Sequence, residues 1–125
     1  MEKVFHILIV EDNSPDGTAD IVKKLMQEFP DRLFIEERKG KLGLGTAYLH
    51  GFKWAIARKY DYIYEMDADF SHPPKDLLNL YKACVEGADM AIGSRYVDGK
   101  ISVVNWPMGR VMMSYYASKY VQLIT

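Results

Sequence analysis

Cysteine is almost missing from this chain: one residue, Cys84, in 125. A lone thiol excludes an internal disulfide and the disulfide-stapled secreted scaffolds, so a reducing, cytoplasmic setting is expected. Cys84 falls on an apolar helical face, where a buried structural thiol is expected rather than a nucleophile. Long hydrophobic runs are absent too. No stretch approaches the ~20 apolar residues needed to cross a bilayer. The opening MEKVFHILIV is too short, and too soon followed by acids, for a signal peptide. Neither charge sign dominates, since 16 basic residues face 17 acidic ones for a net charge of −1. That balance argues against a nucleic-acid partner, which normally selects a basic excess. There are no repeats, low-complexity tracts or linkers. What is present is 49% hydrophobic and 26% charged residues, enough to bury a core in a chain of ordinary single-domain length.

Two periodicities alternate along the chain. VFHILIV (Val4 to Val10) reads as a buried strand, and EDNSPDG after it is a cluster of turn-forming residues. Ile21, Val22, Leu25, Met26 and Phe29 then recur at helical spacing until Pro30. RLFIEER (Arg32 to Arg38) is a second strand, KGKLGLG a glycine-rich loop, and Thr46 to Lys59 a second helix. YDYIYEM supplies a third strand, and the paired prolines Pro73 and Pro74 open a third helix with Leu77, Leu78, Tyr81, Cys84 and Val85 as its stripe. ADMAIGS reads as a fourth strand and Arg110 onward as a fourth helix. Regular alternation of this kind predicts an α/β fold with a mainly parallel open sheet covered by helices on both faces. In such sheets ligands gather beyond the carboxyl ends of the strands. EDNSPDG, KGKLGLG, DADFSHPP and GSRYVDGK all follow predicted strands, so polar chemistry is expected along that edge.

Spacing narrows what the acids do. DNSPDG imitates half of a calcium loop, but the closing glutamate position is Lys23. GLGTAY carries half of a dinucleotide fingerprint and ends on Tyr48, and no Walker lysine occurs. MDADFS fits two enzyme classes. In phosphatases resembling the haloacid dehalogenases, Asp67 would attack phosphorus and Asp69 would act as acid/base, but the later acids Glu86, Asp89 and Asp98 supply no magnesium pair. In a nucleotide-sugar transferase, a short acidic pair holds a divalent cation against the departing diphosphate. Hard oxygen ligands select Mg²⁺ or Mn²⁺.

VEDNSPDGT, KGKLGLGTAYLHGF, MDADFSHPP, AIGSRYVDG and NWPMGR, in that order, closely resemble the dolichol-phosphate mannose synthases. These are inverting family 2 glycosyltransferases with a GT-A, Rossmann-like nucleotide-sugar-binding fold. The resemblance implies transfer of mannose from GDP-mannose to a dolichyl or other polyprenyl phosphate, by a peripheral enzyme at the cytoplasmic face of a membrane. It implies that Glu11, Asp12, Asp67, Ala68 and Asp69 bind the nucleotide sugar and that Asp67, Asp69 and Ser71 hold the metal. Ser71 stands where relatives often have glutamine. Arg95, Arg110 and Ser114 are implied to receive the acceptor phosphate, with Asp69, Arg95 and Arg110 the catalytic group. The lipid phosphate is already anionic, so displacement with inversion needs no strong general base.

The same resemblance implies that residues 1–125 form a partial domain, lacking the family's first strand and helix and its C-terminal part. Other readings stay open: a family 2 transferase such as a UDP-glucose:polyprenyl-phosphate glucosyltransferase, or a nucleotide-binding module without turnover. Met113, Tyr116, Ala117, Tyr120, Val121 and Ile124 share one face of the last helix, suited to a membrane surface, a lipid chain or a further part of the protein. A sheet lacking one strand exposes an unpaired edge, from which self-association of the chain is expected. Size-exclusion chromatography across a concentration series should then show a mass that rises with concentration, and a monomer throughout would refute it.

Overall fold

The computed structural model describes residues 5–97, 100–101 and 106–124, and the chain divides into two compact units, Met1–Ile63 and Tyr64–Thr125. In the first, β1 (Ile7–Glu11), α1 (Thr18–Glu28), β2 (Leu33–Glu37) and α2 (Leu44–Ala57) follow one another. β1 and β2 pair in parallel, with Ile7 opposite Leu33 and Glu11 opposite Glu37. A parallel pair requires a crossover, and α1 is that crossover. Val4, at the start of the expected first strand, lies outside the described residues.

The two-residue alternation of a strand sorts these side chains between two helices. Ile7 and Ile9 line an apolar cavity of about 400 Å³ together with Leu25 of α1 and Phe29 at its C-terminal cap. The intervening Leu8 and Val10 face α2, where a Cβ added at Gly51 would come within 3.9 and 3.8 Å of them. β2 repeats the pattern: Phe34 meets Trp54 of α2 at 5.1 Å and Glu36 bonds His50 of α2 at 2.9 Å, while Glu37 pairs with Lys23 of α1 at 2.8 Å. Helices therefore cover both faces of the small sheet, and the α/β class expected from the sequence is what forms.

Trp54, 9% exposed, anchors the packing beside buried Val22 and Ala55. Tyr60 stacks on its ring at 5.8 Å, the Arg58 guanidinium lies over it at 3.9 Å, and His6 bonds the Tyr60 hydroxyl at 2.6 Å. β1 has a ladder partner on one edge only among the described residues.

In the second unit, a 3-10 turn at Pro74–Asp76 leads into α3 (Leu77–Val85), on which Cys84 is half-buried. A short antiparallel hairpin follows, β3 (Tyr96–Val97) and β4 (Lys100–Ile101), and then α4 (Met108–Ile124). No periodicity in the sequence pointed to this hairpin. Two expected strands do not form: 60–66 and 88–94 carry no ladder. A strand exists through its hydrogen-bonded neighbour, and apolar residues in the second run, Met90 and Ile92, stay 74% and 80% exposed instead of packing into a sheet. α4 begins at Met108, before Arg110, because the Pro107 carbonyl already accepts the Arg110 and Val111 amides. No described helix is long and apolar enough to cross a membrane.

Truncating Trp54 to alanine should cost about 3 kcal/mol, as expected for a buried aromatic side chain. Leu123→Ala, at a site 84% exposed, should stay within about 0.5 kcal/mol of the parent. Urea denaturation followed by circular dichroism compares them, and equal losses would mean that the aromatic cluster is not the core.

Candidate functional site

The loop after β1 is braced from within. Glu11 is 4% exposed, and its carboxylate accepts the Asn13 amide at 2.8 Å and the Ser14 amide at 2.6 Å. These contacts, the Ser14 side chain foremost, hold its carboxyl below the ordinary range. Asp12 turns to the end of β2, where Arg38 donates through Nε at 2.5 Å and through a terminal nitrogen at 2.6 Å. The fork matches the carboxylate edge to edge, the geometry in which arginine binds most specifically. Arg38 also donates to Thr46 Oγ1 at 2.8 Å, and Thr46 donates to the Gly43 carbonyl at 2.7 Å. Gly43 has a φ of 96°, a left-handed value that favours glycine and turns the chain into α2. One guanidinium thus joins the loop after β1, the end of β2 and the glycine-rich loop.

Arg38 and Thr46 were missed as site residues by sequence reasoning. The available signal was an acidic pair after one strand and a cation directly after its parallel neighbour. Asp12, implied to face the nucleoside, is paired with Arg38, and Glu11 uses its oxygens on the loop's own amides. Asp16 closes the loop by accepting the Thr18 amide and hydroxyl, at 3.0 and 2.6 Å.

The second unit holds the remaining sequence-predicted residues. The Asp67 amide donates to His72 Nδ1 at 2.9 Å, and Asp69 Oδ1 accepts the Ser71 amide at 2.9 Å. Phe70, at a φ of 63°, makes the left-handed bend between them. Hydrogen bonds from Ser71 hold the Asp69 carboxyl below its usual range, so it is an anion at neutral pH. Ala68 adds no more than a methyl group between the two aspartates. Among the described residues no three His, Cys, Asp or Glu side chains cluster closely enough to cage a metal. Two carboxylates on an exposed turn do fit a hard cation that completes its shell with water and ligand oxygens.

Arg95 and Arg110 converge on Trp106, their guanidinium carbons 4.6 and 4.1 Å from its ring centroid. Ser114, one turn beyond Arg110 on α4, accepts the Tyr96 hydroxyl at 2.7 Å. The three residues implied to take the acceptor phosphate are thus tied to neighbouring aromatics within one unit.

The Asp12 carboxyl is held down chiefly by the Arg38 hydrogen bonds and also by the Arg38 charge. A carboxyl lowered by folding contributes stability that is complete above its unfolded value, about 3.9, and disappears as pH falls through the lower folded value. Hydrogen exchange should show the loop amides losing protection through that acidic window, with a smaller acid-induced loss in Asp12→Asn. Identical acid profiles would show that the pair does not hold the loop.

The glycosyl transferase family 2 model matches residues 1–124. The chain is 50% identical over 115 residues to the polyprenol monophosphomannose synthase of Mycolicibacterium smegmatis, covering 92% of this chain and 43% of that protein. It is 45% identical over 118 residues to the undecaprenyl-phosphate mannosyltransferase of Micrococcus luteus, covering 94% and 47%. It is 41% identical over 110 residues to the dolichol-phosphate mannosyltransferase of Pyrococcus furiosus, covering 88% and 30%. The chain spans less than half the length of each of these relatives. No solved structure matches it. With a family match along nearly its whole length and relatives at 41–50% identity, the chain belongs to glycosyl transferase family 2.

Proposed function

We propose that this chain is the catalytic-domain portion of a mannosyltransferase that moves mannose from GDP-mannose to a polyprenyl phosphate. The observation that carries the reading is the agreement of three relatives named for this chemistry, at 41–50% identity over nearly all of this chain. The geometry supplies parts that suit it. Asp67 and Asp69, with Ser71 bonded to Asp69, would hold Mg²⁺ or Mn²⁺. When bound, the cation offsets charge on the leaving diphosphate. Asp69 is ready to bind without first losing a proton, because Ser71 already favours its anion.

Arg95, Arg110 and Ser114 receive the acceptor phosphate and direct one of its oxygens at the anomeric carbon. That oxygen forms the new bond as the carbon–oxygen bond to the diphosphate breaks on the opposite side, giving inversion and releasing GDP. An anionic nucleophile needs no base, so positioning and charge provide the catalysis. Membrane contact belongs to the same proposal: Met113, Tyr116 and Leu123 of α4 are exposed and offer apolar surface along the helix that carries Arg110.

Calorimetric titration with GDP, UDP and ADP, in Mn²⁺ and then in EDTA, tests the donor side. GDP should bind saturably only with the metal, and Asp69→Ala should lose that metal-dependent binding. Preference for UDP would move the donor to a uridine sugar, and binding indifferent to EDTA and to Asp69 would overturn the metal role.

A further inference from the structure

The arrangement around Trp106 goes beyond a pair of phosphate-binding arginines. Guanidinium carbons of Arg95 and Arg110 lie 4.6 and 4.1 Å from one ring, yet neither side chain has a carboxylate partner among the described residues. Two like charges drawn to the same place repel, and among the described residues the electron-rich ring face is what attracts both. Stacking engages the flat face of a guanidinium and leaves its in-plane N–H donors unused, whereas an ion pair would consume them. Arg38, whose donors are committed to Asp12 and Thr46, shows the contrast within the same chain.

A second contact fixes the same geometry independently. Tyr96, next in sequence to Arg95, donates its hydroxyl to Ser114 Oγ at 2.7 Å. Ser114 lies four residues after Arg110 on α4, so the two share a helix face. The Tyr96–Ser114 bond therefore ties the segment carrying Arg95 to the turn carrying Arg110. Because Ser114 accepts in that bond, its own hydroxyl hydrogen can still donate to another acceptor.

We propose that Trp106 and Tyr96 are positioning residues of an anion site for a phosphomonoester: Trp106 holds the two arginine forks with their donors turned to the ligand, and Tyr96 orients the Ser114 hydroxyl. This rests on the acceptor-phosphate reading above, and it assigns the preorganisation of that site to two residues that need not touch the ligand. Two positive forks and a neutral donor suit a terminal phosphate dianion better than a singly charged phosphodiester.

The test is calorimetric titration of the chain with citronellyl phosphate, a soluble prenyl monophosphate, and separately with inorganic phosphate. Trp106→Leu, which keeps apolar bulk but removes the ring face, should weaken citronellyl phosphate binding about tenfold. Trp106→Phe, which restores a ring face, should stay within about threefold of the parent. A merely structural tryptophan would give leucine and phenylalanine the same loss, and that result overturns the assignment. Tyr96→Phe should weaken binding in the same direction, and unchanged affinity would remove Tyr96 from the proposal. Inorganic phosphate binding as tightly as citronellyl phosphate would support a headgroup site alone, and weaker binding a site that also reads the prenyl chain.

Binding lost in Arg95→Ala but unchanged in Trp106→Leu would overturn the positioning role while leaving the acceptor-phosphate reading intact. A parent chain that takes up neither probe would overturn both. Should Trp106→Leu not fold, the Trp54→Phe chain decides, because Trp106 is then its single indole. Its emission should change saturably over the concentrations at which calorimetry registers binding, and constant emission during binding would refute the stacking role.

Discussion

The Arg38 fork is the contact on which the loops at the carboxyl edge of the first unit's sheet depend. The parallel ladder brings Glu11 opposite Glu37 at the carboxyl ends of both strands, with Asp12 and Arg38 next in line. Only a group with several donors in a fixed plane can hold a carboxylate on one side and a threonine hydroxyl on another, and Arg38 does both while 6% exposed. Neighbouring features follow from it. Asp12 is kept anionic, Glu11 is free to brace its own loop, and the glycine-rich loop is drawn to the end of β2 through Thr46. Lysine could match the charge but not this geometry.

Arginine does different work in the two units. Arg38 is engaged by a carboxylate and a hydroxyl and builds structure. Arg95 and Arg110 lean on an aromatic face instead, which holds them without consuming their donors. The Asp-Ala-Asp turn shows a similar economy of local contacts, since Ser71 keeps Asp69 ionised and His72 caps the Asp67 amide. The proposed reaction, whose nucleophile would arrive as an anion, would draw on charges prepared in this way more than on a base. Consistent with that, His6 and His50 are engaged with Tyr60 and Glu36 in the packing of the first unit.

The sequence showed both helices of the first unit, both of its strands and the helices after Pro74 and Pro107, because each carries a periodicity that survives in one dimension. It misled at 60–66 and 88–94. Those runs look like strands by composition, but an apolar run does not say whether a ladder partner will lie beside it. The hairpin at Tyr96 to Ile101 left no signal, since two residues per strand are too few to show alternation. Among candidate site residues, Asp67, Asp69, Arg95 and Arg110 were singled out from ordered motifs, whereas Arg38, Thr46, Tyr96 and Trp106 were not. Their roles come from partners 26, 8, 18 and 11 or 4 positions away, and no local pattern records such pairings.

Composition, periodicity and motif order by themselves determined the α/β class and the family, because those properties belong to short stretches of chain. Tertiary structure alone decided which charges are already committed and which are left available. Asp12 and Asp69 look alike in the sequence, yet one is locked to an arginine while the other lies on an exposed turn with its anion favoured by local contacts. Whether a donor or acceptor is available depends on what folding places within about 3 Å of it, and that distance is set by the packing of residues far apart in the chain.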